Sequence, residues 1–212
     1  MIKKLLPVLL AVPMIATAEE PIKWANAYGD YVEHGVLADT DMNESKVIGY
    51  EGGYITKNLD VYGFGEYDTT VNSTFTKLTA HYKVFNNITM YAQGTIFTQD
   101  DFSEKTSTVG FGYAGVNQDG LILKPYIGGQ YSTIREDVVP SIGWSGTYTV
   151  TDTILVTHWN ETIFDGDLVS NKGDFGIYKD LPMNTYAGIQ YRYNYNGHSF
   201  NDGLGIRFGI HL

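Results

Sequence analysis

Apolar residues recur along this chain with a period of two, and helical spacing appears nowhere over a useful length. The clearest instance is the last segment, Asp202 to Leu212. There Leu204, Ile206, Phe208, Ile210 and Leu212 alternate with Gly205, Arg207, Gly209 and His211. Asn184 to Tyr195 repeats the theme, with Ala187, Ile189, Tyr191 and Tyr193 on one side and Gln190, Arg192 and Asn194 on the other. Successive side chains of a strand point to opposite faces, so such a chain builds sheets with one apolar and one polar face. It does not build helical bundles.

The same ruler gives about twelve strands of ordinary length. They fall near 23–35, 46–56, 58–67, 73–85, 87–97, 106–117, 120–133, 141–150, 153–164, 173–180, 184–195 and 202–212. Lys57-Asn58, Asn86-Asn87, Asn117 to Gly120, Thr151-Asp152 and Leu181 to Met183 have the chemistry of tight turns. Longer polar stretches near 36–45, 68–72, 98–105, 134–140, 165–172 and 196–201 alternate with them. A membrane barrel with both termini in the periplasm shows this parity, with short turns on one side and longer loops on the other. A soluble sandwich has no reason to sort its loops this way.

Composition narrows the choice. The 212 residues include no cysteine, which excludes a disulfide framework and thiolate metal sites. Lys and Arg number 14 against 24 Asp and Glu, a net charge of -10 that disfavours a phosphate backbone as partner, so no nucleic acid is expected. Charged residues are 18% of the chain, below the roughly 25% of soluble domains. With 24 Gly and 17 Tyr, the profile is one met in outer-membrane barrels and in some secreted sandwiches.

Residues 1–18 read as an address. Lys3 and Lys4 precede an apolar run from Leu5 to Ile15, and Ala16-Thr17-Ala18 has the small-residue pattern of a cleavage site. The run is too short to cross a bilayer as a helix, which needs about 20 apolar residues. Residues 19–212 are therefore expected to form an all-β transmembrane antiparallel barrel of the Gram-negative outer membrane. The alternative is a secreted soluble β-protein. The sets Ile48, Tyr50 and Tyr54, then Val109, Phe111 and Tyr113, then Ile142, Trp144 and Tyr148 suit a lipid-facing surface edged by aromatic rings. Lipid and lipopolysaccharide are then partners. The apolar alternation of the last strand resembles the signal read by the barrel-assembly machinery, except that it ends in Leu212 rather than an aromatic residue.

By parity the opposite face lines a lumen. It carries Asp30, Glu51, Asp60, Tyr62, Phe64 and Glu66, then Lys77, His81, Lys83, Tyr91 and Gln93. Lys124, Tyr126, Gln130, His158, Asn160, Arg192, Arg207 and His211 follow. Acids dominate the early strands and bases the later ones. Closed into a barrel, they either pair and fill the interior or leave a wetted path with a transverse field. The rings of Tyr62, Phe64, Tyr91 and Tyr126 add stacking surfaces.

Residues 46–68, KVIGYEGGYITKNLDVYGFGEYD, resemble a hairpin of the Tsx-like nucleoside channels, the family that includes the OmpK outer-membrane proteins. Tyr50-Glu51 and Leu59 to Phe64 carry the likeness. The resemblance implies a twelve-stranded barrel with a narrow lumen of aromatic and ionisable residues. Carried over by position, Glu51, Asp60, Tyr62 and Phe64 would line it.

Catalysis finds little support. Ser145 in Gly143-Trp144-Ser145-Gly146 is not a G-x-S-x-G elbow, and His81, His158 and His211 fall at different depths of their strands. No i, i+2 His pair offers a metal site, and no cofactor is implied. The acidic loop residues Asp100, Asp101, Asp165 and Asp167 read as solvated charge. Three functions stay open: a channel for small polar solutes, including nucleosides; a filled barrel acting as an adhesin or phage receptor; and a soluble β-protein.

Overall fold

The computed structural model describes residues 21–36, 44–114, 116–118 and 120–212. The proposed signal segment 1–18, and most of the stretch near 36–45, lie outside them. The described chain is a succession of antiparallel strands: β1 (Ile22–His34), β2 (Glu44–Ile55), β3 (Leu59–Asp68), β4 (Ser73–Phe85), β5 (Ile88–Gln99) and β6 (Phe102–Tyr113). Val116–Gln118 continues β6 as a short second piece. Then follow β7 (Leu121–Ser132), β8 (Val138–Thr151), β9 (Ile154–Asp165), β10 (Leu168–Leu181), β11 (Thr185–Tyr195) and β12 (Phe200–His211). Each pairs with its neighbours in sequence, β1 pairs with β12, and β6 pairs with β7 in both its pieces. The sheet is therefore a closed twelve-stranded barrel, with no free edge among the described strands.

The two faces have the chemistry expected from the alternation, turned inside out relative to a soluble protein. Ile48, Tyr50, Phe111, Ile127 and Phe208 each expose 63% of their surface, and all point outward. Leu204, Ile206 and Ile210 join Phe208 on the outer side of β12. Apart from Val32, the largest fully buried side chains are polar ones facing inward, among them Gln130, Gln190 and Glu161. A soluble sandwich would bury the apolar set instead. The outward belt is a surface for hydrocarbon, and the soluble alternative is set aside.

The loops differ from the sequence reading. The stretches near 98–105 and 165–172 are not loops but two-residue turns, Asp100-Asp101 and Gly166-Asp167, between fully paired strands. Asp100 and Gly166 take positive φ values of 49° and 60° to make them. The polar run Ser103, Glu104, Lys105 and the pair Ser170, Asn171 looked like loop because strands that rise beyond an apolar belt need no apolar face. Their ladder hydrogen bonds were invisible to composition. Of the other connections at that end, 69–72, 133–137 and 196–199 exceed the turns at the opposite end by one to three residues, and only 35–43 between β1 and β2 is long.

Closure brings β6 and β7 very near. Gly110 and Gly128 are register partners, and a Cβ on Gly110 would lie 2.0 Å from the carbonyl oxygen of Ile127. Only glycine fits so close an approach.

Replacing Ile127 with Arg puts charge halfway along β7 on the outer face. Equilibrium unfolding from vesicles is expected to show a loss of about 2 to 4 kcal/mol, the midplane value for barrels. The same change at Leu121, on the outer face at the turn end of β7, is expected to have much less effect.

Candidate functional site: the barrel interior

The inward face carries Asp30, Glu51, Asp60, Tyr62, Phe64, Glu66, Lys77, His81, Tyr91, Lys124, Tyr126, Arg192 and Arg207, and most are tied to one another. One network spans β1, β3, β11 and β12. Arg207 grips Asp30 with two bonds, Nε to Oδ1 and Nη2 to Oδ2, both 2.8 Å. Arg192 reaches Asp30 at 2.9 Å and closes a fork on Glu66 through Nη1 at 3.0 Å and Nη2 at 2.7 Å. The Gln190 amide also donates to Asp30, and the Tyr28 hydroxyl to Glu66. The Arg207 guanidinium lies 3.6 Å over the Tyr28 ring, whose own bed is Gly49: a Cβ there would sit 2.3 Å from the ring. Asp174 stands 3.6 Å from Arg192 Nε.

A second network centres on Glu161, whose side chain is wholly buried. Gln93, Tyr126 and Gln130 donate to its Oε1 at 2.9, 3.1 and 3.1 Å, and Lys172 stands 3.2 Å from Oε2. Tyr91 bonds Gln93 at 2.6 Å and stacks on Tyr126 with centroids 3.9 Å apart. Lys77 rests 4.0 Å over the Trp159 ring. Toward the end where β1 begins and β12 ends, Lys124 pairs with Asp60, and Glu51 accepts from Asn26 and Tyr62.

The sequence reading missed Glu161, Trp159, Lys172, Asp174 and Tyr28. For β9 its parity was inverted. His158 and Asn160 face outward, His158 against Trp144 and Phe175, while Trp159 and Glu161 point in. Both faces of this strand mix polar and apolar residues, and its pairing with β8 carries a register shift between Ile154 and Leu155. No alternation could have set the phase. On the outward side the Asn160 amide nitrogen donates to the Tyr193 hydroxyl at 2.8 Å and to Asn171 at 3.2 Å, while its Oδ1 is buried without a hydrogen-bond partner.

The rings divide into two sets. Tyr91 and Tyr126 spend their faces on each other. Trp24, Tyr62, Phe64 and Phe75 instead form a ladder along the inner wall of β1, β3 and β4, with successive centroids 5.8, 5.9 and 5.5 Å apart. It starts near the terminal end and finishes at a cavity of about 130 Å³ at the other mouth. His81, His158 and His211 lie apart: His81 bonds Thr89 inside, and His211 sits at the rim between Asn26 and Asp180.

Arg207→Met is expected to destabilise the barrel by about 3 to 5 kcal/mol, because Asp30 stays buried without its main partner. Adding Asp30→Asn is expected to recover part of that loss in urea unfolding. No recovery would mean that the pair contributes only packing.

No protein-family model matches the chain, and no curated protein matches it. Solved structures do. The NanC porin superposes with a TM-score of 0.54 at 11% identity, covering 88% of this chain and 98% of that one. The KdgM porin, in complex with disordered oligogalacturonate, gives 0.51 at 9%, covering 85% and 98%. At such identities the likeness is one of fold. The chain has the twelve-stranded antiparallel barrel of outer-membrane porins, the fold of a Gram-negative outer-membrane protein.

Proposed function

We propose that this protein is a narrow outer-membrane channel for small polar solutes. The observation that carries the reading is the ladder of Trp24, Tyr62, Phe64 and Phe75 running along one wall beside the Arg192 and Glu66 fork. Rings offer sliding contact to flat solutes, and adjacent charges accept and donate hydrogen bonds as water is stripped away. A barrel needing only a filled core would have no use for a row of half-exposed rings. Nucleosides are the finer proposal. The resemblance of residues 46–68 to Tsx-like channels supports it, as do Tyr62 and Phe64 as stacking surfaces. The protein acts without catalysis in this reading.

A second reading has its own support. Glu66 reaches Arg192, and Glu161 reaches Gln93, across the interior rather than along one strand pair. A barrel so braced suits a filled scaffold that serves as a receptor or adhesin through its loops.

We also assign both termini to the periplasm, the outward side of β12 to the assembly machinery, and the outer rim to lipopolysaccharide. An epitope inserted in the connection 133–137 is then expected to label on intact cells, and one at Leu181 to Met183 only after the outer membrane is opened. The opposite result would reverse the orientation.

Planar-bilayer recording decides between channel and scaffold. The wild-type barrel is expected to give small, steady conductance steps, and Arg192→Ala to raise them by about twofold or more as the charged constriction opens. Uridine at millimolar concentration is expected to reduce the current. Phe64→Ala is expected to weaken that block in line with the loss of one ring contact, about 1 to 3 kcal/mol. A silent wild-type barrel favours the scaffold, and a conducting barrel indifferent to uridine removes the nucleoside.

A further inference from the structure

The cavity at the loop end has a chemistry that the charge networks leave unspent. Val47, Glu66, Asp68, Ser73, Phe75 and Arg192 line its 130 Å³. That equals the liquid share of about four water molecules, the scale of a single furanose or pyranose ring. Its apolar wall includes the Phe75 ring, last rung of the aromatic ladder, whose centroid is 5.5 Å from that of Phe64.

The polar groups around that ring keep spare valence of both signs. Glu66 Oε2 accepts one bond, from Arg192 Nη1, and that nitrogen donates only one of its two hydrogens. Asp68 uses Oδ1 to accept from the Thr70 backbone and keeps Oδ2. Among the described residues the Ser73 hydroxyl has no side-chain partner. A phosphate or carboxylate only accepts hydrogen bonds, and an ammonium only donates. Neither can answer acceptors and donors set side by side. An anion would also meet two carboxylates, while the one guanidinium present is already shared among Asp30, Glu66 and Asp174. A hydroxyl does both. A sugar ring carries hydroxyls around its edge and an apolar C–H face for the aromatic wall.

We propose that this cavity is a mouth subsite for a neutral polyhydroxylated ring, seated on Phe75 and held by Asp68, Ser73 and the free edges of Glu66 and Arg192. The inference names the solute class for the channel reading and rests on that reading for its use, though not for its chemistry. The ring can come from a free monosaccharide or from the ribose of a nucleoside.

Titration calorimetry on the refolded full-length barrel in detergent tests it, with D-ribose, D-glucose, uridine, 2′,3′-dideoxyuridine and glucose 6-phosphate as probes. The neutral sugars and uridine are expected to bind, dideoxyuridine to bind roughly fivefold or more weakly for each hydroxyl lost, and the phosphate ester to fail. Phe75→Ala and Ser73→Ala are each expected to weaken sugar binding roughly fivefold. Neither residue belongs to the charge networks, and heat-modifiable migration verifies that both variants fold. Binding of uridine but of no free sugar, with dideoxyuridine retained, would assign the contact to the base and overturn the proposal. So would binding unchanged in both variants, or no binding of any neutral ring. Conductance is scored separately. A conducting barrel without sugar binding sinks the subsite and leaves the channel, whereas sugar binding to a silent barrel does the reverse.

Discussion

The pairing of the first strand with the last is the constraint on which the rest of this structure depends. In hydrocarbon no water can satisfy a free N–H or C=O, so a sheet in a membrane must have no edge. Here Asn26 through His34 of β1 face His211 through Gly203 of β12 in unbroken antiparallel register. The Leu212 amide adds a further bond to the Ala25 carbonyl at 2.9 Å. At that seam Asp30 and Arg207 are direct register partners, and their side chains make the two-bond pair inside. A slip of one residue would turn Arg207 toward lipid, and a slip of two would set Asp30 opposite a glycine. The buried ion pair is therefore compatible with this register of closure and not with its neighbours. A pair of this kind adds little net stability over apolar residues, and fixing register is the use for which such groups are best attested.

Closure also dictates what fills the middle. The inward charges at mid-barrel are taken out of bulk water, and they are held by partners. Arg192 is held by touching three carboxylates, and Glu161 by collecting two amides, a phenol and an ammonium. The early acids and late bases noted in the sequence meet across the interior largely as pairs. A transverse field of separated charges is not what remains.

Much of this was legible in the sequence, because alternation is a local property and a barrel repeats it twelve times. Strand number and the lipid-facing sets followed directly, as did the inward placement of residues such as Asp30, Glu66 and Arg207. What stayed hidden depends on neighbours. The phase of β9 is fixed by its pairing with β8 and β10 and is not marked by its own apolar residues. The rising strands around Asp100 and Gly166 resemble loops because their stability comes from ladder bonds. The partners of Glu161 lie 31 to 68 residues away along the chain for Gln130, Tyr126 and Gln93, beyond any local signal.

The two halves of the interior wall are unequal, and the inequality points to a path. Around Glu161 most groups are spent on each other, Tyr91 on Tyr126, Gln93 on Glu161 and Arg135 on Gln130 at 2.9 Å, although Thr108 Oγ1 and Arg135 Nε are buried without a hydrogen-bond partner. A solute touching that wall would have to break bonds already made. Along β1, β3 and β4 the rings of Trp24, Tyr62, Phe64 and Phe75 present faces in sequence. The mouth above them keeps Asp68 Oδ2 and the Ser73 hydroxyl free of side-chain partners among the described residues. Contacts that can be formed without being exchanged for others favour the second wall at each step. A solute small enough to pass the Arg192 and Glu66 fork would therefore favour that side, with the more heavily cross-bonded wall as its backing.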